Sequence, residues 1–155
     1  MRNSVRAWDT TSGKVATPPA WWPKNFGADP HSVVFRPSGD RVAFPTSYHT
    51  MVYTATQRVK LREFDPPISE ETRNKLRGDE KLLTNVAFGS DDNKVVAGYA
   101  DGTVRLCQFG PEQGTWRTVC AFPGGRRVAH VAFSPEGRHV AAVVGGDVYF
   151  IRLQK

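Results

Sequence analysis

At 155 residues and 17.2 kDa the chain has the length of one ordinary domain. Its 39% hydrophobic content excludes wholesale disorder, and no apolar run approaches the ~20 residues that a membrane-spanning helix needs. The formal charge is +6, but the 21 Lys and Arg residues are scattered, with Arg126-Arg127 the one adjacent pair; a nucleic-acid footprint would cluster on one face, so a solvated, Arg-rich surface is expected and nucleic acid is not.

The first residues, through Trp8-Asp9, lack the apolar stretch of a signal peptide, so the cytoplasm is the expected compartment. Residues 4–9 suit a strand, a Thr-Ser-Gly turn follows at 11–13, and residues 14–17 suit a second short strand. Pro18-Pro19-Ala20-Trp21-Trp22-Pro23 then predicts an extended connection, because proline fixes φ and removes donors.

A repeat begins next. Val33-Val34-Phe35 followed by Arg36-Pro37-Ser38-Gly39-Asp40-Arg41-Val42 aligns without gaps on the segments starting at Val86 and Val131. In each copy a Phe closes one run and a Val opens the next (Phe35 and Val42, Phe88 and Val95, Phe133 and Val140). The first unit predicts strands at 31–35, 41–44, 50–55 and 58–64; the second at 83–88, 94–99, 103–109 and 115–122; the third at 127–133, 138–144 and 147–153. Ser90-Asp91-Asp92-Asn93 and Asp101-Gly102 supply turn residues that bond nearby backbone or accept positive φ. Phe35 and Phe88 lie 53 residues apart, Phe88 and Phe133 only 45. The excess falls at 65–81, a polar stretch read as a surface insert that could hold a short helix after Pro66-Pro67.

Val-Ala-Phe-Ser-Pro-Glu-Gly at 131–137, Ala-Asp-Gly-Thr-Val-Arg-Leu at 100–106 and Arg-Ala-Trp-Asp at 6–9 resemble the motifs of WD-repeat β-propellers. The resemblance implies an all-β chain: propeller blades of four antiparallel strands, in an incomplete or open propeller. It divides residues 1–155, a single partial propeller, into a half blade at 1–30, a blade at 31–64, the insert at 65–81, a blade at 82–122 and a three-stranded last blade at 123–155. Such a four-stranded unit cannot bury both faces alone. Val34, Val42, Val86, Phe88, Val95, Leu106, Val131, Phe133, Val140 and Ile151 are therefore expected between sheets. The chain departs from the family pattern, which often carries a buried polar set of His, Ser or Thr, Asp and Trp. Asp101 fits the turn Asp, but Cys107 and Ile151 stand at Trp positions, Ala97 stands at a Ser position, and no Gly-His pair precedes a first strand. Apolar packing is expected to hold the blades instead.

Propellers close with roughly 4–8 blades, more than are counted here. A fragment or C-terminal part of a larger signalling or regulatory protein, or self-association through open blade edges, is expected. Cys107 and Cys120 are expected as reduced thiols, and no zinc-ligand spacing or cofactor-binding motif occurs. His31, His49, His130 and His139 accompany no nucleophile signature, and the acidic pairs Asp91-Asp92 and Glu70-Glu71 read as solvated surface groups. Gly124-Gly125 and Gly145-Gly146 read as turns, since neither continues into a phosphate loop. Trp21, Trp22, Arg126 and Arg127 are the candidate partner-binding residues, on the ground that exposed aromatics and Arg anchor interfaces. The expected function is a non-catalytic scaffold for protein partners. The alternative is part of a hydrolase-like propeller enzyme whose catalytic groups lie in further blades.

Overall fold

A computed structural model describes residues 7–16, 32–45, 50–54, 60–64, 83–91, 93–109 and 114–154. Its strands are β1 (Ala7–Trp8), β2 (Val15–Ala16), β3 (Val34–Phe35), β4 (Arg41–Pro45), β5 (Thr50–Thr54), β6 (Lys60–Phe64), β7 (Leu83–Phe88), β8 (Lys94–Tyr99), β9 (Thr103–Phe109), β10 (Gly114–Ala121), β11 (Val128–Phe133), β12 (His139–Val144) and β13 (Asp147–Arg152). They form a β1-β2 hairpin and three antiparallel meanders: β3 to β6 (first sheet), β7 to β10 (second) and β11 to β13 (third). Every pairing joins strands that are consecutive in the chain, as two- to six-residue turns between β-branched runs dictate. The strands fall where the repeats predict them, within three residues at each observed end. The possible helix near Ser69, and the candidates Trp21 and Trp22, lie outside the described residues.

The turn between the first two strands of each unit is built three times on one plan. Arg36, Gly89 and Ser134 each donate a backbone N–H to the carbonyl of the residue five on, at 2.9, 2.8 and 2.9 Å. In the third copy Gly137 closes the turn on the Ser134 carbonyl at 2.8 Å with φ of 67°, a conformation that suits glycine. The first copy keeps that glycine (Gly39) but has Arg36 in the serine place, buried and bonded to Asp40 at 2.7 Å. The Ser38 hydroxyl and the Arg36 charge together hold the Asp40 carboxyl below the usual carboxylate range.

The sheets stack face to face, and two apolar cores lie between them. Ala43, with Val34 at its margin, meets Leu83, Val86, Phe88, Val95, Ala97, Tyr99 and Cys107 of the second sheet. The second core joins Val96 and Val104 to Val128, Val131, Val140, Ala142 and Val144 of the third. Strand β8 shows why both exist: its side chains alternate, Val95, Ala97 and Tyr99 toward the first sheet and Val96 toward the third. Of the residues expected between sheets, Val34, Phe133 and Ile151 are only half-buried. β11 packs closely over Gly98, where an added Cβ would stand 2.7 Å from Val128 Cγ1. Hydrogen bonds also cross this junction, from the Val131 N–H to Asn85 Oδ1 at 3.1 Å and, farther out, from Arg117 Nη2 to the Gln154 carbonyl at 3.2 Å.

Candidate interaction face

The turn after the second strand of a unit and the connection to the next unit emerge at the same end of the stack. In the second and third sheets these segments are packed together. The Phe122 N–H donates to the Gly102 carbonyl at 3.0 Å, and the short 3-10 turn Pro123–Gly125 folds back beside Gly102. From there Arg126 reaches across the turn at Gly145. Its Nη2 donates to the Tyr149 hydroxyl at 2.9 Å, and its Nη1 lies 4.0 Å from Asp147 Oδ2. Tyr149 in turn stacks its ring, tilted by 55°, against Phe122 at a centroid distance of 4.8 Å. Arg126 thus braces one sheet's connection to the next sheet's turn. Arg127, its neighbour in sequence, is exposed at this end of the stack. The sequence treats the two arginines alike; the fold gives Arg126 an internal bracing role and leaves Arg127 presented to solvent.

Beside this end sits a polar cluster. The Asp101 carboxylate accepts from the Thr103 N–H at 2.9 Å, from the Thr103 hydroxyl at 2.6 Å and from Arg105 Nη2 at 3.4 Å. The Arg105 guanidinium also covers the Tyr99 ring, 4.8 Å from its centroid. Apolar packing is therefore not alone in holding this sheet: Thr103 and Arg105 occupy the turn Asp in place of the family's usual partners. Burial pushes the Tyr99 hydroxyl far above its ordinary titration range, and the Arg105 charge only partly opposes that. In the hairpin of β1 and β2, Asp9 accepts from the N–H groups of Ser12 and Thr11 at 2.7 and 2.9 Å. Those bonds, Ser12 first, hold its carboxyl below the usual range.

The remaining candidates are dispersed. His130 is exposed on β11, and half-buried His139 opens β12 with its N–H on Ser134 Oγ at 3.1 Å. His31, His49, Asp92, Glu70 and Glu71 lie outside the described residues. Asp91 pairs with Lys94 in a turn. Cys107 and Cys120 are not bridged; strand register sets Cys107 opposite Trp116 and Cys120 opposite Val104. Trp116, near the start of β10, is half-buried against the first core. Among the described residues, no three His, Cys, Asp or Glu side chains gather as a metal site would require.

Residues 70–107 match the family model of the WD domain, G-beta repeat. The match begins inside the stretch read as an insert and ends in β9. No curated protein matches the sequence at a significant level. Among solved structures, the chain is similar to one in the "Crystal Structure of Mitotic Checkpoint Complex", with a TM-score of 0.67 at 15% identity. That match covers 96% of this chain and 42% of the other, so the chain spans less than half the length of the structure it resembles. Likeness at that identity speaks for the fold alone. The chain carries a WD40 repeat of the G-beta type, set among sheets that have the fold of part of a WD-repeat β-propeller.

Proposed function

We propose that this chain is a non-catalytic WD-repeat scaffold that binds a protein partner through the end of the stack where Arg127 and the turns at Gly124-Gly125 and Gly145-Gly146 emerge. One observation carries the reading. The facing sides of the three sheets are committed to the two cores, while this end is braced by Arg126, Phe122 and Tyr149 into an ordered, exposed surface. A rigid surface loses little entropy on binding, and an overall charge of +6 favours an acidic partner segment. The reading places the chain in the cytoplasm, where its two unbridged thiols would stay reduced, as part of a larger signalling or regulatory protein. The share of the solved chain that it covers supports that last point.

The test compares wild type, Arg127→Glu and Arg127→Lys as bait, with bound proteins quantified by mass spectrometry. A defined set of proteins should be held by wild type and by Arg127→Lys and lost from Arg127→Glu. Stoichiometric metal in the purified protein, or turnover of ester, phosphate or glycoside substrates, would instead favour a propeller enzyme.

A further inference from the structure

We propose that the outer face of the third sheet is a docking surface for a second copy of this chain, which seats its β3 strand there, head to tail. The repeat itself supplies the argument. The gap-free alignment sets Ala132 on Ala87 and Ala141 on Val96. Strand pairing extends it: Ala141 opposes Phe150 as Val96 opposes Leu106, and Val143 opposes Val148 as Gly98 opposes Val104.

In the second sheet Val96, Val104 and Leu106 are buried, and β11 of the following sheet covers that side. In the third sheet Phe150 and Val148, the counterparts of Leu106 and Val104, lie open, 79% and 57% exposed, beside exposed Ala132 and half-buried Ala141. Such a contiguous exposed apolar face marks an interaction surface. The cover it fits is the leading strand of another sheet of the same kind.

This chain carries such a strand at its other end. Val33 and Phe35 are the repeat counterparts of Val86 and Phe88, which are buried between the first and second sheets. Val33 and Phe35 are instead 47% and 57% exposed. Each copy therefore displays, on the two outer faces of its stack, the two halves of a junction that it already makes twice within itself. A second copy supplies each half to the other, and the contact is heterologous, repeating around a ring if the rotation closes. The inference rests on the repeat reading of the fold and is independent of partner binding at the Arg127 end.

Light scattering coupled to size exclusion, over a concentration series of the full chain, reads the association directly. Wild type should associate, and Phe150→Thr and Phe35→Thr should each weaken that by about tenfold or more. Mixing the two variants should restore a one-to-one species, because one retains an intact outer face and the other an intact β3. Circular dichroism checks folding, with Val148→Thr as the second variant of the same face. A wild type that stays monomeric overturns the proposal and leaves this face to further blades or another protein. So does loss of association in Phe150→Thr but not in Phe35→Thr, which would mean outer face against outer face. Arg127→Glu should associate like wild type, which separates this test from that of the scaffold reading.

Discussion

Substituting Gly98 by alanine tests how closely the second and third sheets are set. The new Cβ would lie 2.7 Å from Val128 Cγ1 and 3.2 Å from both Thr84 Oγ1 and Val131 Cγ1. Carbon atoms prefer roughly 3.5–4.0 Å, so the junction must open by about 1 Å or its side chains must leave their rotamers. Overpacking of this kind costs about 1–3 kcal/mol, and stiffening the unfolded chain by removing a glycine returns about 0.4–1 kcal/mol. The net loss is then about 1–2 kcal/mol, which lowers a urea midpoint by roughly 0.5–1 M for a slope of about 2 kcal/mol per M. Val128→Ala alone should cost about 2 kcal/mol through the cavity it leaves. The double variant is decisive: the alanine methyl moves into the space that Val128 vacates. The two losses should fall short of their sum by about 1 kcal/mol. Urea titrations followed by circular dichroism measure all four corners of the cycle. Additivity to within about 0.3 kcal/mol would show that Gly98 does not owe its place to Val128.

Two further predictions concern the same junctions. Asn85→Ala removes the acceptor of the Val131 N–H and should cost about 1–2 kcal/mol, with faster hydrogen exchange at that amide; unchanged protection would mean the bond is not made in solution. Tyr99 ionises near 10.0 when unfolded and well above that when buried, so its share of stability is complete below pH 10.0 and is lost as pH rises further. Tyr99→Phe should therefore unfold at higher pH than wild type in an alkaline titration read by circular dichroism, and coincident curves would argue against that burial.

Much of this architecture was legible because the sequence repeats its punctuation. Runs such as Val95-Val96 and Val140-Ala141-Ala142-Val143-Val144 are bounded by Asp, Asn, Ser and Gly, and each side chain's alternation then follows from the strand. What was hidden depends on which sheet comes near. Gly98 looks like any weak spot in a strand until Val128 is seen against it. Arg126 and Arg127 are chemically the same, and only the position of Tyr149 separates brace from free surface group. Arg105 reads as a polar strand residue, yet its reach to Asp101 and Tyr99 fills a place that family motifs assign to other residue types. Trp116 stands near a strand start, and nothing in its local sequence says which sheet will lie alongside it.

The divided loyalty of β8 limits how this chain can change. Val95, Ala97 and Tyr99 serve one core and Val96 the other, so a one-residue insertion within the strand would turn both inside out together. The turns on either side, at Ser90 and Asp101, can lengthen without that penalty. Drift in length along a lineage of such chains should therefore collect in the turns and leave the strands that measure its spacing untouched.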